Sequence, residues 1–236
     1  ISNIALIFGV SLIGYSTAIN PSSKRNFIAL GLSVLVAIYA LSDLIISNFD
    51  SLMLLAVLTY FIYIMAIQPN SDEIVVEQNN SSYLNLSIFL IIGLLSITIG
   101  SNYAVINGEK IAFLIGIPKL IIGLTVLAIG TSLPELAVTI SALMKQKNQM
   151  VLGNIIGSNV LNIAVVMPIL GLFSAKSFDP SIITRDMSVM TILSLIFVMI
   201  ALSFNYKNIP INVYRLIGII LVSSYIIYIG ILGGLL

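Results

Sequence analysis

Eight apolar runs follow one another along the chain, at about residues 1–18, 27–42, 52–68, 84–107, 117–143, 150–172, 188–204 and 212–234. About 20 apolar residues carry a helix across a bilayer, against about 10 for a strand. Inside hydrocarbon the backbone must bond to itself, which leaves helices or closed barrels. Runs of this length select helices. The shorter runs at 27–42, 52–68 and 188–204 draw the rest from their flanks. Only 8% of the residues are charged, against roughly 25% in soluble domains. The chain is therefore expected to be an all-α membrane protein. Its net charge of +1 and lack of a basic patch argue against nucleic-acid binding. It contains no Cys and no His, which removes thiolate chemistry, Cys/His metal sites and histidine acid–base work.

The runs are separated by Asn20–Asn26, Ser47–Asp50, Gln68–Ser82, Lys145–Asn148 and Asn205–Asn208. The Gln68–Ser82 stretch is the longest and carries Asp72, Glu73 and Glu77. Lys24, Arg25, Lys145, Lys147, Lys207 and Arg215 collect on one side of the membrane, and Lys110, Lys119, Lys176 and Arg185 on the other. The positive-inside bias places the 68–82 loop in the cytoplasm and the C-terminus outside, in a plasma-membrane protein. Ile1 opens inside an apolar run with no signal peptide before it. The chain is thus expected to be an N-terminally shortened piece.

An internal repeat is present. Ile1-Ser-Asn-Ile-Ala-Leu-Ile7 matches Val160-Leu-Asn-Ile-Ala-Val-Val166. Arg25-Asn26 then matches Arg185-Asp186, and Thr59-Tyr-Phe-Ile-Tyr-Ile64 matches Ser224-Tyr-Ile-Ile-Tyr-Ile229, in the same order. Residues 1–68 read as the remainder of a first repeat, 69–83 as a cytoplasmic loop and 84–236 as a complete second repeat. Repeat arithmetic adds roughly 76 residues, or two helices, ahead of residue 1. About ten helices result, five per repeat, of which about eight are present here. An odd number per repeat inverts the two copies, a transporter architecture with its site at the midplane.

The run at 117–143 has a polar centre, Gly123-Leu-Thr-Val-Leu-Ala-Ile-Gly-Thr-Ser-Leu-Pro-Glu-Leu136. A carboxylate at the bilayer centre costs about 2.5–3.5 kcal/mol. Gly130 and Pro134 loosen the backbone at the same place. Glu135, Thr131, Ser132 and the carbonyl of Ala128 are hard oxygen donors, which Na⁺ and Ca²⁺ require. Ser132-Leu-Pro-Glu135 also fits a capping box, in which these residues would only open a helix. In the next run Asn154, Ser158 and Asn162 share one helical face. Gly153 and Gly157 on that run are expected to pack against a neighbouring helix, while Ser158 and Asn162 are assigned to a cavity.

These motifs, GLTVLAIGTSLPEL at 123–136 followed by GNIIGSN at 153–159, resemble the second α-repeat of the sodium/calcium exchanger superfamily, with the α-repeat at about 117–172. Residues 1–18 resemble the tail of the first α-repeat. The resemblance implies an inverted-repeat antiporter exchanging Ca²⁺ for Na⁺ by alternating access. By motif position it implies that Glu135 is the shared carboxylate. Thr131 and Ala128 would supply oxygens, Ser132 and Ser158 would line Na⁺ positions, and Asn162 and its repeat mate Asn3 would face the centre. Several relatives carry Asp where Asn162 stands, which leaves stoichiometry and K⁺ dependence open. The partner glutamate of the first repeat lies outside the chain, so the piece alone is expected not to transport. No cofactor is implied beyond the transported ions, and the transport unit is expected to be monomeric in the lipid bilayer.

Three other readings remain. A cation/proton antiporter of the same superfamily would cycle Glu135 through protonation. A non-transporting membrane subunit is a reading from another class. An intramembrane enzyme finds no support, since there is no His and Glu135 is the only acid placed well inside a run.

Overall fold

The computed structural model describes residues 1–14, 24–67, 83–116, 122, 130–173, 177–204 and 209–232. Among these residues the regular structure is helical. The helices are α1 (Asn3–Ile13), α2 (Lys24–Ala40), α3 (Asn48–Ile67), α4 (Tyr83–Leu114), α5 (Leu133–Met144), α6 (Asn148–Phe173), α7 (Ile182–Ser203) and α8 (Ile211–Leu232). Helices α3, α4, α6, α7 and α8 are long and apolar enough to cross a membrane. Their exposed Leu, Ile and Phe side chains are suited to lipid, a solvent in which burial carries no hydrophobic premium.

Two helices extend beyond their apolar runs. Helix α4 continues through Asn107-Gly-Glu-Lys110 to Leu114, because nothing there stops it before Gly116, at φ 83°. Helix α7 begins six residues early, in a π turn at Ile182–Met187. Helix α3 takes in Asp50, which is buried in its first turn. Three other acids lie in helices of spanning length, each near an end: Asp50, Glu109 and Asp186. Asp50 is accounted for locally. Its Oδ2 accepts from the Ser47 backbone N–H (2.8 Å) and hydroxyl (2.6 Å), while its own N–H donates to Ser47 Oγ (3.2 Å). That is a capping box with Asp in the Glu position.

Two of the π turns fall at matched positions of the internal repeat. One spans Asn3–Phe8 in α1 and the other Asn162–Val166 in α6. Each opens on the Asn of the matched segments. Pro168 follows the second turn and has no N–H to donate, and its ring crowds the carbonyl one turn back. A widened turn relieves that crowding. Gly9 stands at the equivalent place in α1.

The chain divides into two compact units, residues 1–67 with 138–225, and residues 68–137 with 226–236. In the first unit, α2 and α3 form a hairpin that packs on α6, and α1 packs on α6 and α7. Its core is built from Ile4, Ile7, Phe8 and Leu12 of α1, Val151 to Val160 of α6, and Phe197 of α7. Phe8 and Phe197 meet edge to face, with centroids 4.7 Å apart. The α2–α3 loop docks on the segment before α7, where the Phe178 N–H donates to the Leu44 carbonyl at 2.8 Å. In the second unit α4 is exposed along its length, with Val105 set against Gly130.

Candidate cation-binding site

Helix α5 starts where the sequence pattern requires. Gly130 is helical, Thr131 and Ser132 form a turn, and the helix resumes at Leu133. The Leu136 N–H donates to the Ser132 carbonyl at 3.0 Å, which makes Ser132 the N-cap. Pro134 then falls in the first turn, where a missing N–H costs nothing, and Glu135 sits three residues past the cap. A Cβ on Gly130 would collide with the Val105 side chain, so this approach needs glycine. Ser132 is buried, Glu135 half-buried and Thr131 exposed. Glu135 Oε2 is shielded from solvent. Ala128 lies outside the described residues.

Helix α5 ends in a Schellman motif. The Lys147 N–H donates to the Ala142 carbonyl (2.8 Å) and the Gln146 N–H to the Leu143 carbonyl (2.9 Å). Gln146 takes the left-handed conformation, φ 55°. The tight turn sends α6 back antiparallel to α5, within reach of its second half. There Asn154 Nδ2 donates to Thr139 Oγ1 at 2.9 Å. Thr139 is fully buried and lies one turn beyond Glu135 on the same face of α5. The motif reading does not include Thr139. Its signal was the four-residue spacing from Glu135.

One turn along α6, Ser158 receives a bond from the other repeat. Asn3 Nδ2 donates to Ser158 Oγ at 2.9 Å, and the Ser158 hydroxyl donates to the Ile155 carbonyl at 3.2 Å. One N–H of the Asn3 amide and the Ser158 hydroxyl are engaged as donors, and Asn3 Oδ1 and Ser158 Oγ are the side-chain oxygens of this pair. Asn3 is buried and Ser158 half-buried, whereas Asn162 is exposed at the start of its π turn. Asn3 and Ser158 thus come together inside the first unit.

Two glycines of α6 have space beside them. A Cβ added to Gly153 or Gly157 meets nothing within 4 Å among the described residues. Close approaches are made by Gly171 of α6, set against Ser51 and Ile46, and by Gly9 and Gly218, where α1 and α8 cross and a Cβ on Gly218 would sit 2.6 Å from the Gly9 carbonyl. Gly153 and Gly157 leave the polar side of α6 open beside Asn154 and Ser158.

Buried hydroxyls and amides with oxygens to spare, on helices that meet across a repeat, can strip and hold a hard cation. They have no nucleophile–base pair with which to do covalent chemistry.

The model for the sodium/calcium exchanger protein family matches residues 85–234. The inner membrane protein YrbG of Escherichia coli is 32% identical over 98% of this chain and 74% of its own length. The sodium/calcium exchanger MaX1 of Methanosarcina acetivorans is 35% identical over 48% of this chain and 33% of its own. In three dimensions the solved sodium/calcium exchanger from Methanococcus jannaschii superposes with a TM-score of 0.75 and 30% identity, covering 97% of this chain and 71% of that one. The inverted-repeat transporter fold expected from the repeats is the fold of that exchanger, and this multi-pass membrane chain belongs to the sodium/calcium exchanger family of antiporters.

Proposed function

We propose that the full transporter to which this chain belongs exchanges Ca²⁺ for Na⁺ by alternating access, with Glu135 as the carboxylate that this chain supplies to the two ions. Thr131, Ser132, Ser158, Asn162 and Asn3 would complete the oxygen set, with the Ala128 carbonyl. The observation that carries this reading is the Asn3–Ser158 hydrogen bond. It joins residues 155 positions apart, one from each copy of the repeat. It also engages one amide N–H and the Ser158 hydroxyl as donors and brings two side-chain oxygens, Asn3 Oδ1 and Ser158 Oγ, to one place. Ions that share the same oxygens compete for them, and competition with alternating exposure produces exchange rather than co-transport.

The test is Ca²⁺ uptake into Na⁺-loaded vesicles carrying the full transporter, diluted into Na⁺-free or Na⁺-matched buffer. Uptake that needs the outward Na⁺ gradient supports Na⁺ coupling. Uptake driven by a pH gradient in the absence of Na⁺ would replace it with proton coupling, with Glu135 as the carrier.

A further inference from the structure

Helix α5 offers few buried side chains to hold it in place. It enters the unit that contains α6 at Val138, and its buried residues are Thr139 and Ala142, both small. On α6, Gly153 and Gly157 flank Asn154 and bring no side chain to lock the two helices. One directional contact joins them here, the 2.9 Å bond from Asn154 Nδ2 to Thr139 Oγ1. A buried threonine does not need such a partner. It can donate to the carbonyl four residues back, as Thr59 and Thr98 do, and valine would fill the same space. Nor is the bond a large source of stability, since side-chain bonds between membrane helices are weak. What it fixes is register. Helices α5 and α6 form an antiparallel hairpin closed by the Schellman turn. Leading away from that turn, α5 reaches Glu135 one turn past Thr139, and α6 reaches Ser158 one turn past Asn154. Each step is about 6 Å along its helix. The bond therefore pins the hairpin a single turn from both residues assigned to the ions.

We propose that Asn154 and Thr139 are positioning residues of the cation site: their bond sets the height and rotation at which α5 presents Glu135, and α6 presents Ser158, to the ion. This rests on the reading of Glu135 and Ser158 as ion ligands. Asn154 and Thr139 themselves touch no ion. Ligands keep their place to within about 0.5 Å only when the residues behind them are held, so the clasp acts on the affinity of the site more than on the stability of the fold.

The experiment uses the full transporter in vesicles with Thr139→Val, which keeps the shape and removes the hydroxyl, Thr139→Ser, which keeps the hydroxyl, Asn154→Ala, the Thr139→Val/Asn154→Ala double variant, and Glu135→Gln. Thr139→Val is expected to raise the half-saturating Ca²⁺ concentration about threefold to tenfold, the worth of one bond between membrane helices. The maximal rate should change less than that, and the ion-free thermal midpoint should stay within about two degrees. Thr139→Ser should keep the original affinity. Asn154→Ala should weaken it at least as much as Thr139→Val, and the double variant should be no weaker than Asn154→Ala alone. If Glu135→Gln abolishes exchange but Thr139→Val leaves affinity unchanged, the positioning role is overturned and the ligand reading stands. The role is also overturned if Thr139→Ser is as weak as Thr139→Val, if the two sites add in the double variant, or if thermal stability falls without an affinity change. If Glu135→Gln leaves exchange intact, the ligand reading falls and the positioning role falls with it.

Discussion

Glu135 is half-buried, with one oxygen shielded from solvent, in the first turn of a membrane helix. The hydroxyls of Thr131 and Ser132 precede it in the chain, and the proposed function makes it the carboxylate that trades cations. Glu135→Gln keeps the shape and the N-terminal cap acceptor but removes the charge, and is expected to reduce exchange at least a hundredfold at unchanged expression, read as Na⁺-dependent Ca²⁺ flux. Asp179, in the segment before α7, illustrates a carboxylate with a local task. The Ser181 backbone N–H, and then the Ser181 side chain, hold it below its ordinary value of 3.8. The sign follows: its contribution is complete above 3.8 and is lost as pH falls through the lowered value. A carboxyl carbon titration should give a midpoint below 3.8, and Ser181→Ala should keep most of the depression, because the backbone donor remains. What was legible at this scale was whatever is expensive in hydrocarbon. Glu135, Ser132 and Pro134 stood out for their cost. Thr139 did not, since a threonine in an apolar helix can satisfy itself on a carbonyl four residues back, as Thr59 and Thr98 do here. Only its Asn154 bond revealed it.

Among the helices, glycines separate into two kinds that the sequence shows alike. Gly157→Ala meets nothing within 4 Å among the described residues and should raise the thermal midpoint by about 2–4 °C, from a helix-propensity gain of up to about 1 kcal/mol. Gly218→Ala must push aside the Gly9 backbone and should lower stability by about 1–3 kcal/mol, measured by thermal denaturation in detergent. At the α5–α6 turn, Gln146 holds a left-handed conformation with a side chain. Gln146→Gly relieves about 1 kcal/mol of strain and should raise the same midpoint. Element positions were legible from apolar run length, and all eight runs contain helix. The ends were less so. Run length cannot see that α4 continues over Glu109 and Lys110, both competent helix formers, or that α7 gains a π turn. Nor does hydropathy report which glycine has a neighbour, because that depends on a second helix crossing at one point.

For the molecule as a whole, one unit draws on both copies of the repeat, with α1 of the first copy packed on α6 and α7 of the second. On the proposed function, an ion held by Asn3 and Ser158 bridges the two copies and stabilises this unit. A ligand held only by the folded arrangement adds about 2.7 kcal/mol at a hundred times its dissociation constant. Saturating Ca²⁺ should raise the thermal midpoint of the full transporter, and Glu135→Gln should abolish that rise while leaving the ion-free midpoint within a few degrees. The repeat itself was visible only as short matched segments in a shared order, yet it led to the correct architecture. Odd helix counts and inversion are topological consequences that need no side-chain detail. The two widened turns carry that symmetry into history. Each adds a residue to its helix, at the same step of the matched segments. Two independent insertions would have to strike the same site twice. A single insertion in the ancestral half, copied when that half was duplicated, accounts for both with one event.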